Sequence, residues 1–270
     1  MEISNGVNLF FYTTIFLFGL SVGSFLNCVI YRLETGGSFL RGRSFCPRCK
    51  HTLSWQDLIP VFSFFCLRGR CRYCQEKISW QYPLVELATG FLFVLFFEIR
   101  SPIIDIWEIG SLAIIPFLVI IFVYDLKHYI IPDKVIYPAI GIALVYDLWK
   151  SDFLLSIFGK SDFLLSAFGA TGFFLAIVVV SRGKWMGTGD IKLGFLMGLL
   201  LGWPKILVAL FLAFLTGAII GIGLMALGKK TLKSEVPFGP FLVTGTFAVI
   251  FWGQQIIDWY LSLCTKDLLY

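Results

Sequence analysis

Residues 9–31 read LFFYTTIFLFGLSVGSFLNCVIY, 23 positions without a charged side chain, closed by Arg32. A hydrocarbon core about 30 Å thick needs about 20 helical residues, so this run can cross a membrane as one helix. The residues before it, Met1 to Asn8, hold no Lys or Arg, and the run is too long for the apolar part of a cleavable signal. It is read as a first span. Further apolar runs fall at 82–98, 103–124, 132–149, 163–181, 205–227 and 237–258, with a shorter one at 190–203. The sequence thus predicts an all-α polytopic membrane protein of about eight transmembrane helices. Composition agrees. Of 270 residues, 58% are apolar, 29 are Phe and only 14% are charged, against roughly 25% charged in a soluble domain. A disordered chain would need the opposite balance, and a soluble globule could not hide this much apolar surface.

The net charge of +5 is unevenly spread. Nine of the 22 Lys and Arg lie between Arg32 and Lys77, with only Glu34, Asp57 and Glu76 among them. Basic loops beside spans mark the cytoplasmic side. With 32–81 inside and eight spans, seventeen basic residues fall inside and five outside, and both termini fall outside. No base-stacking pattern accompanies the charge, so no nucleic acid partner is expected; membrane lipid is. The expected organisation is a first transmembrane helix (1–31), a cytoplasmic tetracysteine segment (32–81) and a transmembrane domain (82–270). Residues 151–159 (SDFLLSIFG) are repeated as 161–169 (SDFLLSAFG); two copies are too few for a solenoid, and the duplication carries no functional reading.

Cys46-Pro-Arg-Cys49 and Cys71-Arg-Tyr-Cys74 place two thiols on each of two tight turns. Two such turns can complete a tetrahedral S₄ site for Zn²⁺. A reducing compartment disfavours disulfides. The site is closed, hence structural, and metal would supply folding energy to a zinc-ribbon-like insertion with little core. Cys66 is a weaker candidate ligand, Cys28 and Cys264 are expected to be unpaired, and His51 is expected to be a surface histidine.

Only His51 and His128 occur, and no H-E-x-x-H is present, which excludes the usual zinc protease motif. Gly19-Leu-Ser-Val-Gly23 matches a nucleophile-elbow string but lies inside an apolar helix, where its glycines suit helix packing. Ionisable groups at membrane depth are functional suspects. Asp125 closes an apolar run and Asp190 opens one, after Gly187-Thr-Gly189. Both fall on the inner side, so they can meet. Asp190, Gly194, Gly198 and Gly202 recur every fourth residue, and small residues there let another helix approach. Two facing carboxylates can act as acid and base on one water. Helix ends suggest a division of labour: Asp190 at a helix N-terminus as the ionised base, Asp125 at a C-terminus as the proton donor. The same positions also suit plain helix caps, a proton-coupled carrier, or a non-catalytic scaffold. The absence of repeated halves speaks against a carrier.

At these residues the chain resembles the type IV prepilin peptidases, GxGD-type intramembrane aspartyl proteases. The resemblance runs through residues 23–33, the tetracysteine segment, Tyr82-Pro-Leu-Val-Glu-Leu-Ala-Thr-Gly90, Asp125 to Ile131-Pro-Asp133, Gly187-x-Gly-Asp190-x-Lys-Leu193, and Glu235-Val-Pro-Phe-Gly-Pro240. It implies a bifunctional enzyme of the bacterial inner membrane. Such enzymes remove the leader of type IV prepilins or type II secretion pseudopilins on the cytoplasmic side. They then methylate the new N-terminal amine with S-adenosylmethionine. The resemblance further implies Asp125 and Asp190 as the catalytic pair, with Gly187, Gly189, Asp133, Lys192 and Glu235 as active-site support. It implies Cys46, Cys49, Cys71 and Cys74 as zinc ligands, and Glu86 and Gly90 near the methyl donor. No dinucleotide-type glycine fingerprint occurs, so the methyltransferase half rests on the resemblance alone.

Overall fold

The computed structural model describes residues 2–38, 42–100, 110–150, 162–228 and 236–266. They form α1 (Glu2–Thr35), a 3₁₀ turn (Trp55–Leu58), α2 (Phe62–Cys66), α3 (Gln81–Arg100), α4 (Ile114–His128), α5 (Asp133–Lys150), α6 (Asp162–Ser181), α7 (Thr188–Leu201), α8 (Lys205–Ala226) and α9 (Gly239–Lys266). Each of the eight apolar runs contains a helix. Among the described residues, six helices are long and apolar enough to cross a membrane. Of the other two, α5 carries Asp133, Lys134, Asp147 and Lys150 within 18 residues, and α7 has only 14 residues, about 21 Å at the usual rise. The first copy of the 151–169 duplication lies outside the described residues, and the second opens α6.

Packing divides the chain into two compact units, Met1–Ile104 and Asp105–Tyr270. In the first, α1 lies along α3. Gly19 and Gly23 make this possible: a Cβ on either would stand 2.8 Å from Gly90 Cα or 2.7 Å from Glu86 Cα. The string that mimics a nucleophile elbow is thus a helix-packing face. Asn27 reinforces the crossing, donating from Nδ2 to the Tyr82 carbonyl at 3.0 Å and accepting from Gln81 Nε2 at 3.3 Å. At the end of α1, the Arg32 guanidinium donates to the carbonyls of Ser38, Gly42 and Arg43.

In the second unit, α7 packs on α6, α8 on α9, and α9 on both α4 and α7. Lipid offers no hydrophobic drive between helices, so close fit and hydrogen bonds must hold the bundle. Gly194 faces the Phe174 ring and Gly198 faces the Ala167 backbone, both too closely for a Cβ. Gly202 does not extend this face: it has open space around it and caps α7 with φ +67. Pro204 then caps the start of α8. Leu118, Ile121, Ile136, Phe174, Leu196 and Leu242 are fully buried at the centre.

Candidate active site

Asp125 lies in the last turn of α4, and its carbonyl accepts the Tyr129 N–H at 2.9 Å. Tyr129 sits in the left-handed region (φ 59), which stops the helix. Asp190 is the third residue of α7, and its carboxylate accepts the Gly187 N–H at 3.3 Å. Both are buried, at 5% and 8% exposure. They are brought together by α9, which packs on both their helices. The Gly239 backbone N–H, at the start of α9, donates to the Asp125 carboxylate. A Cβ on Gly239 would stand 2.5 Å from Asp125 Oδ2. The charge of Asp125 also acts on Asp190. Two carboxylates so placed share protons readily, because like charges resist simultaneous ionisation.

The surrounding motif residues fall into place unequally. Gly189 lies against Ile131, whose Cβ would be 3.1 Å from an added methyl, so the segment before α5 supports the start of α7. Gly187 is extended (φ −80, ψ 161) with only the Gly189 nitrogen near its added-methyl position. Packing does not explain that glycine. Lys192 forms a salt bridge with Asp133 and lies 5.0 Å above the Tyr137 ring. The two thus tie α5 to α7 within two residues of Asp190. Glu235 lies outside the described residues. Gly239 is the site residue that sequence reasoning missed; its only signal was a glycine within the Pro237-Phe-Gly-Pro240 turn.

In the first unit, the four sulfurs of Cys46, Cys49, Cys71 and Cys74 all lie within 4.8 Å of one another, with Cys46 and Cys74 Sγ at 3.9 Å. Tetrahedral ligands on a metal at about 2.3 Å need a comparable spread. The two turns are built alike. Cys46 N–H donates to His51 O and Lys50 N–H to Cys46 O; Cys71 N–H donates to Glu76 O and Gln75 N–H to Cys71 O. Lys50 and Gln75 both take a positive φ, and isolated bridges Phe45↔Thr52 and Arg70↔Lys77 close each turn. Burial raises the Cys46 thiol, but hydrogen bonds from the Cys49 and Arg48 backbone and from the Cys71 and Cys49 side chains outweigh it and bring it to about 7. A thiol readily ionised and three sulfurs around it fit a metal cation. Cys66 is exposed and outside the cluster. The His51 ring lies against Tyr73, with centroids 3.7 Å apart and planes tilted by 37°.

Glu86 and Gly90 both lie on α3, and both are engaged. Glu86 Oε2 accepts the Val61 N–H at 2.7 Å. An added methyl on Gly90 would meet the Phe16 ring at 2.9 Å. Glu86 Oε2 is thus already taken by a backbone amide, and the Gly90 face is filled by Phe16.

Comparison with known proteins accords with this arrangement. Residues 17–99 match the bacterial peptidase A24 N-terminal domain, and residues 112–222 match the type IV leader peptidase family. The chain is 32% identical to a prepilin leader peptidase/N-methyltransferase of Aeromonas salmonicida (strain A449), covering 97% of this chain and 98% of the relative. It is 31% identical to the protein so named from Legionella pneumophila (94% and 95% covered). It is 30% identical to the one from Bacillus subtilis (strain 168) (92% and 97% covered). No solved structure matches. With both halves matched in order and relatives aligned nearly end to end, the chain belongs to the type IV leader peptidase family.

Proposed function

We propose that this multi-pass membrane protein is a prepilin leader peptidase and N-methyltransferase whose peptidase centre is Asp125 and Asp190. The observation that carries the assignment is a pair of buried carboxylates, each accepting a backbone amide, with the charge of Asp125 acting on Asp190. In the resting enzyme the pair shares one proton. The ionised partner takes a proton from a water as it attacks the scissile carbonyl, and the protonated partner gives its proton to the departing amine. The products are the leader, with a new carboxylate, and a mature pilin or pseudopilin with a free N-terminal amine. The enzyme belongs to the bacterial inner membrane. The charge bias supports a cytoplasmic position for the cysteine segment and both aspartates, with the termini outside.

The four cysteines hold a structural Zn²⁺. When bound, it cross-links two turns that bury little apolar surface. S-adenosylmethionine is the methyl donor that the family's second activity requires. Glu86 and Gly90 are the residues that the family resemblance offers beside it, and no step is routed through them.

The test is cleavage of a prepilin-type substrate in membranes by wild type, Asp125→Asn and Asp190→Asn at matched expression. Cutting by wild type alone is expected. Equal cutting by all three would make the pair structural, and no cutting by any would reopen the carrier and scaffold readings.

A further inference from the structure

Between the two cysteine turns the chain makes an excursion that the metal cluster does not need. It runs through the 3₁₀ turn at Trp55–Leu58, a tight turn at Val61, and α2. Val61 has φ 60 and ψ −50, and the Phe62 N–H donates to the Pro60 carbonyl at 2.5 Å. This is a γ-turn centred on a β-branched residue at positive φ, a conformation costing about 1–3 kcal/mol. It is held by the 2.7 Å bond from Val61 N–H to Glu86 Oε2. Glu86 is buried, five residues past the start of α3 and inside the span Gln81–Ile99, about 8 Å along the helix axis. The strained turn is thus pinned beside the first turns of a membrane helix, not suspended in water.

What this turn carries is apolar and exposed. Trp55 is 73% exposed, Phe62 63% and Phe65 57%, with Ile59 beside them. Phe64 points inward and packs on Trp80 at 4.9 Å, and Phe65 meets the same ring at 6.4 Å. Trp80 immediately precedes the span and is itself 63% exposed. Aromatic residues at such a position sit at headgroup level, which sets the depth of α2. Arg68 and Arg70 follow α2 directly. The nearby acids do not oppose them: Asp57 is turned inward onto Ser54, Arg72 and Tyr73, and Glu76 faces Arg48. An exposed aromatic patch edged by arginines and continuous with a span is the chemistry of an amphipathic element lying in an anionic leaflet.

We infer that residues 55–66 form an interfacial foot. Trp55, Ile59, Phe62 and Phe65 enter the boundary between headgroups and acyl chains, and Arg68 and Arg70 meet lipid phosphates. Through the Glu86 bond the foot fixes the cysteine segment at one height on the membrane.

The test uses the full-length protein in vesicles of phosphatidylcholine with phosphatidylglycerol. A photoreactive benzoylphenylalanine replaces Phe62 or, independently, Trp55. Phe168, exposed on the spanning helix α6, serves as the lipid-facing reference, and Gln75 at the tip of the second cysteine turn as the water-facing one. Because an interfacial side chain reaches about 5–10 Å into the boundary, lipid adducts at Phe62 and Trp55 should exceed those at Gln75 by about tenfold and approach those at Phe168. Adduct yields at the Gln75 level from both positions would overturn the inference. So would adducts going to a second copy of the chain, or to added prepilin, in place of lipid.

Discussion

Replacing Gly239 with alanine tests whether α9 forms part of the reaction centre. The new methyl carbon would stand 2.5 Å from Asp125 Oδ2, 3.1 Å from Cγ and 3.4 Å from Cβ. Relief requires the carboxylate to withdraw by somewhat less than about 1 Å or to rotate away, giving up the Gly239 amide; either is cheap for the fold, since one charged hydrogen bond is worth about 1.5–3 kcal/mol. It is expensive for chemistry. A displacement of about 1 Å in a reacting group costs about 10²-fold in rate, or about 2.7 kcal/mol of barrier. Gly239→Ala should therefore keep its expression and bound zinc, while initial rates of prepilin cleavage in membranes fall about 10²-fold, mainly in kcat. Gly221→Ala on α8, where an added methyl meets nothing within 4 Å, should cut normally. If Gly239→Ala cuts as fast as Gly221→Ala, α9 does not shape the centre and the placement of Asp125 is wrong.

Other outcomes follow from the same geometry. The Asp133–Lys192 pair is partly solvated, with side chains 61% and 27% exposed, and such pairs contribute about 0–1 kcal/mol; Lys192→Met should slow cleavage only a few-fold by progress curve, and Asp133→Lys with Lys192→Asp should restore part of it. Val61→Gly removes the strain of a positive φ while keeping the amide, so it should raise resistance of the 55–66 excursion to added protease, whereas Glu86→Ala should lower it. Cys71→Ser should release zinc, read by a metal-sensitive dye, and expose the segment between Cys46 and Cys74 to proteolysis. An unchanged zinc content would show that the four sulfurs do not act together.

Much of this architecture is legible in sequence because its rules are local. Apolar runs near the length of a bilayer crossing give the helices, and paired C-x-x-C turns give the cluster; the positive φ shared by Lys50 and Gln75 emerges only in the structure. Membrane crossing is less legible where length and charge compete, as in α5 with its four charged residues and α7 with its 14. The glycine stripe on α7 was readable at Gly194 and Gly198, which face α6, but not at Gly202, where the helix has already ended. Long-range approach leaves the weakest trace. Nothing at Gly239 announces a carboxylate from a helix more than a hundred residues earlier, and nothing at Val61 announces Glu86.

The electrostatics of the aspartate pair show why such approaches decide chemistry. Helix ends taken one at a time make Asp190 the favoured anion, at the start of α7, and Asp125 the disfavoured one, at the end of α4. That argument holds only while each helix stands alone. In the folded unit Asp125 also faces the first residue of α9 and accepts its amide. The first N–H groups of a helix have no partner within it, and their dipole favours negative charge. Asp125 therefore sits at two helix ends of opposite sign, and Asp190 keeps the Gly187 amide. Local helix polarity no longer separates the two carboxylates, so the roles of acid and base belong to the pair. Coupled groups of this kind titrate as a unit, with two macroscopic steps that neither residue owns. A pH–rate profile of cleavage should then have two limbs, and Asp-to-Asn substitution at either position should abolish the activity rather than shift one limb. Residual cutting by one single mutant, with one limb preserved, would restore the fixed division of labour.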